Sequence, residues 1–218
     1  MDNKSTLVSP ILIVLFFVVV FLCVYQIPFF GDAVSSVSTP AISVFENSGF
    51  INQHSSDPGH PTLIPFLLAQ VWKIFGQSLW TAHLIQLLFA FGVFIFLRNR
   101  LEQKHIYYDL IILISPLLFS QLFTVSLQLP LFFFFLWALN SVEKNKNITL
   151  LIALSLLSLV HLQGILYAGA LGLYYLFLNR SELKNIGFWL RAVLIFSVPL
   201  ILFISWAFIH HKYTGWYI

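Results

Sequence analysis

The chain has 218 residues, of which 59% are hydrophobic and 9% are charged, and its net charge at pH 7 is +3. A soluble globular domain carries about 25% charged residues, so this composition excludes an ordinary soluble protein and predicts an integral membrane protein. The single cysteine, Cys23, excludes an internal disulfide. We expect lipid partners and no nucleic-acid partner.

The hydrophobic residues concentrate in seven segments. A helix needs roughly 20 apolar residues to cross the hydrocarbon core of a bilayer. The predicted spans are residues 7–29, 79–97, 106–123, 127–142, 148–162, 164–178 and 188–209. The first is too long for the core of a signal peptide and is interpreted as a retained anchor. We expect one tight hairpin at 121–128, just before Pro130, and a second at 161–164. The sequence therefore predicts an all-α polytopic fold with about seven transmembrane helices, forming one transmembrane domain over 1–218.

Lysine and arginine are distributed unevenly among the predicted loops. If all seven segments span, nine of these eleven residues fall on one side: Lys4, Arg98, Arg100, Lys104, Lys144, Lys146, Arg180, Lys184 and Arg191. The other side has Lys73 and Lys212. Because cytoplasmic loops carry the excess of basic residues, we expect a multi-pass protein with a cytoplasmic N-terminus. The loop 31–61 then lies outside, in the periplasm, the cell exterior or an organelle lumen. The membrane is expected to be a bacterial inner (plasma) membrane.

Two interfacial helices are predicted in the outer loop segment 31–76. Residues 61–75 are apolar but too few to span, with Gly76 at a position typical of a helix end. This segment is interpreted as a helix lying in the outer interface. A second helix is expected from Val34 to Asn47, stopped by Ser48 and Gly49.

Three acidic residues of this loop are candidates for chemistry outside the membrane: Asp32, Glu46 and Asp57. Asp32 follows the first span directly and is the candidate general base, with helix capping as the alternative. Asp57 and His60 are candidate substrate ligands and candidate metal ligands. The alternatives are that Asp57 forms a turn before Pro58 and that His60 only begins the next helix.

Basic and imidazole side chains near the outer face are candidates for holding a substrate. Lys73 is a candidate anion ligand, with interfacial snorkelling as the alternative. His83 and His161 lie near outer helix ends, and polar groups at such depth are functional hypotheses. For His83, the alternative is a hydrogen-bonded histidine inside the membrane. His210, His211 and Lys212 form a further group at the end of the last span.

The outer loop resembles the N-terminal part of the GT-C membrane glycosyltransferases, in the branch with protein O-mannosyltransferases and aminoarabinose lipid A transferases. The resemblance lies in an acid after the first span, in His60-Pro61-Thr62-Leu63, and in Phe75-Gly76-Gln77-Ser78. Three features depart from that pattern. Asp32 has no acidic neighbour, His83 stands where an arginine is usual, and Leu129 rather than aspartate precedes Pro130.

The resemblance implies a function and a partner set. It implies an N-terminal portion of a longer transferase that moves a sugar from a polyprenyl-phosphate donor to an acceptor lipid, glycan or protein. Asp32 would accept the proton of the acceptor hydroxyl, and a divalent metal ion is a candidate cofactor. The alternative is a non-catalytic membrane protein, such as a transporter, a flippase component or a degenerate accessory subunit. Transporters place ionisable groups at the bilayer midplane, where the predicted spans have few, and this favours the enzyme.

Overall fold

A computed structural model describes residues 5–51, 59–101, 106–215 and 217, and this part of the chain is all-α without strands. The all-α part of the predicted fold class is thereby confirmed, and the seven membrane spans stay a prediction. Its α-helices are α1 (Ser5–Val24), α2 (Thr39–Asn47), α3 (Leu63–Phe75), α4 (Leu79–Arg100), α5 (Ile106–Ile114), α6 (Pro116–Leu122), α7 (Gln128–Glu143), α8 (Asn147–Ser158), α9 (Gln163–Leu178) and α10 (Ile186–Thr214). A π-helical turn, Val34–Ser38, precedes α2, and a 3₁₀ turn, Arg180–Glu182, precedes α10.

Two of these helices are long and apolar enough to cross a membrane by length and composition, namely α4 and α10. Pro10–Val24, α3, α8 and α9 are apolar but shorter. At about 1.5 Å of rise per residue, the 12 residues of α8 reach only about 18 Å. A bilayer core is about 30 Å thick, so α8 alone is too short to cross it.

The third predicted span, 106–123, is not one helix, which corrects the sequence prediction. It divides at Ser115 into α5 and α6, with Ser115 in an extended conformation at ψ 134°. Pro116 is the physical cause, because proline lacks the N–H of the helix ladder and disfavours helical geometry in the preceding residue. The Ser115 hydroxyl donates to the carbonyl of Ile112 at 2.8 Å.

The core of the bundle forms around α7, which packs against α4, α8 and α9. Interior side chains of these helices include Phe134, Ala138, Leu154 and Leu171. Close packing of such side chains stabilises the bundle through van der Waals contacts that are individually small and collectively large. An ion pair joins α4 to α5, with Nε of the half-buried Arg98 2.9 Å from Oδ1 of the buried Asp109.

The two predicted loop helices form as α2 and α3, and they pack on each other. The left-handed residue Ser48 ends α2. Gly76, at φ 83°, ends α3 and donates its N–H to the Trp72 carbonyl. The indole N–H of Trp72 contacts the Thr81 hydroxyl at 2.9 Å and so fixes α3 to the start of α4. Their placement at a membrane interface stays a prediction.

A backbone contact joins the loop segment to the α8–α9 hairpin. The N–H of Leu63 donates to the carbonyl of Leu159 at 3.2 Å. The hairpin itself is tight, because Gly164 lies so close to α8 that a Cβ there would stand 2.0 Å from the Leu157 carbonyl oxygen. Together these contacts place His60 beside His161.

Candidate functional site

A polar cavity of about 470 Å³ lies where the turn after α1, the start of α3, the α6–α7 loop and the α8–α9 hairpin meet. Its polar lining residues are Asp32, Ser35, Ser36, His60, Gln121, Thr124, Ser126, Gln128 and His161. The structure thus brings three of the predicted site residues, Asp32, His60 and His161, to one place. His161 lies more than a hundred residues after the other two in the sequence, and no local pattern predicts that the three meet.

Asp32 presents an exposed carboxylate to this cavity. Its backbone carbonyl accepts hydrogen bonds from the hydroxyls of Ser35 at 3.2 Å and Ser36 at 2.5 Å, which fix the turn. Among the described residues, no hydrogen bond or ion pair is made by the carboxylate itself. The capping alternative is thus not realised within that part of the chain, and the carboxylate remains available to a bound molecule.

His60 and His161 form a stacked imidazole pair, with ring centroids 4.3 Å apart and ring planes tilted by 35°. The Nδ1 atom of His161 accepts the backbone N–H of Gln163 at 3.1 Å, at the start of α9. An imidazole that accepts a hydrogen bond at Nδ1 carries its proton on Nε2, so the neutral ring of His161 offers its Nε2–H as a donor.

Sequence reasoning missed six polar residues of the cavity: Ser35 and Ser36 after Asp32, and Gln121, Thr124, Ser126 and Gln128 around the α6–α7 loop. The Ser126 hydroxyl donates to Gln121 Oε1 at 2.7 Å. The carbonyl oxygen of Gln121 is thereby occupied, and its amide NH₂ group is left for a bound molecule. The available signal was a cluster of polar residues at a break between two apolar segments, where non-helical backbone is tolerated if it lines a cavity.

A second cavity, apolar and about 850 Å³ in volume, adjoins the polar one. The two share Gln121 and Gln128 as lining residues. Most of the remaining wall is apolar or aromatic: Leu97, Leu118, Leu129, Leu131, Phe132, Phe135, Tyr167 and Ala170, together with Ser115 at the α5–α6 break. The pair of cavities thus offers a hydrogen-bonding compartment next to a hydrophobic one.

The structure does not bring the other predicted site residues to the polar cavity. Lys73 is exposed on α3, with Nζ 3.5 Å from the Ser48 hydroxyl. His83 is buried within α4, and its Nε2–H donates to the Ile27 carbonyl at 2.8 Å, which matches the alternative of a hydrogen-bonded internal histidine. His210 is buried in α10 and stacks on Trp206. Asp57 lies outside the described residues.

A metal site is not formed by the described residues. They contain no group of three or more histidine, cysteine, aspartate or glutamate side chains close enough to hold an ion. Of the two predicted metal ligands, His60 lines the polar cavity and Asp57 is not described. Metal binding at His60 stays a prediction.

Comparison with protein-family models, with curated proteins and with solved structures finds no match to this chain.

Proposed function

We propose that this chain is a polytopic membrane glycosyltransferase that acts at the outer face of a bacterial plasma membrane. It would transfer a sugar from a polyprenyl-phosphate donor to an acceptor hydroxyl, with Asp32 as the general base. The observation that carries the proposal is the polar cavity containing Asp32, His60 and His161 next to an apolar cavity. A molecule with a sugar head and a hydrocarbon tail matches both compartments.

Immersion in a membrane is supported by apolar side chains on the outside of the bundle. A water-soluble protein rarely exposes contiguous apolar patches of this kind. The exposed residues of α1 and α10 include Ile11, Leu12, Val14, Leu15, Val18, Val19, Leu22, Leu190, Val193, Leu194, Leu200, Ile201, Ile204 and Phe208. In the proposed topology α5 and α6 together make one of seven crossings, and α2 and α3 lie at the outer interface.

The proposed reaction is a displacement at the anomeric carbon. The acceptor oxygen forms a bond to that carbon while its proton passes to the Asp32 carboxylate. The bond from the carbon to the phosphate oxygen breaks, and the lipid phosphate leaves with the electron pair, inverting the configuration. Because a phosphate is a stable anion, the leaving group requires little protonation, and the base carries the proton chemistry.

The test is transfer from radiolabelled polyprenyl-phosphate sugars in membranes that contain the wild-type or an altered chain. Asp32→Asn should abolish transfer and leave the protein folded in detergent. Glu46→Gln is the matched control, since Glu46 is an exposed acid of the same loop segment that does not line the cavity. Equal turnover in wild type and Asp32→Asn would end the base assignment. Lipid binding without any turnover in wild type would favour the non-catalytic alternative.

A further inference from the structure

Resting on the proposed function, we propose that the polar cavity selects an uncharged sugar and excludes a sugar that carries a carboxylate. The selecting residue is Asp32. This assigns a substrate class to the cavity, and binding alone can test it without any transfer reaction.

The charge of the described lining is the first argument. Asp32 is the one carboxylate in it, and the same lining contains no lysine or arginine. The basic residue of the neighbouring helix α3, Lys73, is exposed and contacts Ser48 instead. A carboxylate on the sugar ring would meet a like charge in this space, with no lysine or arginine of the described lining to offset the repulsion.

The hydrogen-bonding groups of the lining are the second argument. Ser35, Ser36, Thr124 and Ser126 contribute hydroxyls, and Gln121 contributes the amide NH₂ group that its bond to Ser126 leaves available. Hydroxyls donate and accept equally well, which suits the hydroxyl groups of a neutral sugar.

The imidazole pair adds donors without adding a fixed positive charge. His161 accepts a backbone N–H at Nδ1, so its remaining proton lies on Nε2 and the ring is neutral in this arrangement. A neutral ring offers a hydrogen bond to a sugar hydroxyl but gives little electrostatic attraction to a carboxylate.

The volume and the adjoining apolar cavity determine a suitable probe. About 470 Å³ lies in the lower part of the range for small-molecule sites, roughly 300–1,000 Å³. The apolar cavity beside it would take an alkyl chain. Decyl glucoside and decyl glucuronide form a matched pair, because they share the tail and the ring and differ by a carboxylate in place of a hydroxymethyl group.

The experiment is a titration of each probe into lipid nanodiscs containing the chain with ¹³C-labelled histidine. The NMR signal of His161 gives a readout local to the cavity, and His161→Asn assigns that signal. We expect decyl glucoside to bind about tenfold more tightly than decyl glucuronide, a difference of about 1.4 kcal/mol. Asp32→Asn should reduce this ratio of affinities to threefold or less, and Glu46→Gln should leave the ratio unchanged.

A measurement on the wild type guards against misfolding of the variant. If like-charge repulsion causes the difference in affinity between the two probes, raising the salt concentration from about 50 mM to about 500 mM should reduce that difference, because salt screens partly exposed charges. Three results would each overturn the proposal. The two probes could bind equally well, or neither could perturb the His161 signal. The difference in affinity could also stay unchanged both in Asp32→Asn and at high salt. A chain that discriminates between the probes but never transfers sugar would refute the proposed function and leave this inference standing.

Discussion

Replacing Gly164 by alanine tests the tight α8–α9 hairpin that positions His161. The new Cβ would stand 2.0 Å from the carbonyl oxygen of Leu157, whereas ordinary contact begins at 3.4 Å, so the two backbones must separate by 1.4 Å (3.4 − 2.0). Overpacking of this kind costs about 1–3 kcal/mol. We take about 3 kcal/mol, the upper end of this range, because the Leu157 carbonyl oxygen belongs to the backbone and cannot move to another rotamer. Alanine regains about 1 kcal/mol of helix propensity, which leaves a net loss of about 2 kcal/mol.

The assay is reversible unfolding in detergent micelles, followed by circular dichroism. A loss of about 2 kcal/mol lowers the folding equilibrium constant roughly thirtyfold. The matched control is Gly169→Ala on the same helix, since a Cβ at Gly169 meets nothing within 4 Å. The control should be neutral or stabilising by up to about 1 kcal/mol. If Gly164→Ala is as stable as Gly169→Ala, the close approach of α8 and α9 is refuted.

Two further predictions concern stability. Removing Asp109 alone should cost about 3 kcal/mol, the lower end of the range for a buried pair because the Arg98 side chain is 20% exposed, and replacing both by apolar residues should recover most of that loss in a double-mutant cycle. Trp72→Phe should cost about 1–2 kcal/mol through its lost indole hydrogen bonds, whereas the exposed Trp80→Phe should be neutral in the same assay.

Local signals in the sequence predicted the helix ends correctly where a single residue determines the backbone. Gly76 adopts the positive φ that a helix end favours, and Ser48 ends α2 as expected. The break at Ser115 was equally local, since Pro116 is visible in the sequence. It was missed because the hydropathy of 106–123 is continuous and outweighed the proline.

The site was only partly predictable, because its residues meet through tertiary packing. Asp32 and His161 were selected for their chemistry and their position near helix ends, and both line the cavity. Gln121 was not selected, since a glutamine in a hairpin has no distinguishing pattern until Ser126 fixes its orientation. His83 shows the opposite case, in which a histidine near a helix end satisfies the Ile27 carbonyl beyond the end of α1. Sequence alone does not distinguish a polar side chain that lines a cavity from one that hydrogen-bonds an internal backbone carbonyl.

The interruption at Ser115 has a mechanical consequence. Pro116 has no N–H, so α5 and α6 can change their mutual angle without breaking a helical hydrogen bond at that position. Ser115 and Leu118 belong to the wall of the apolar cavity. A rotation of α6 about Ser115 would therefore change the width of the apolar cavity, and, if the chain spans a membrane as proposed, it would admit a hydrocarbon chain from the bilayer while the helices around α7 keep their contacts.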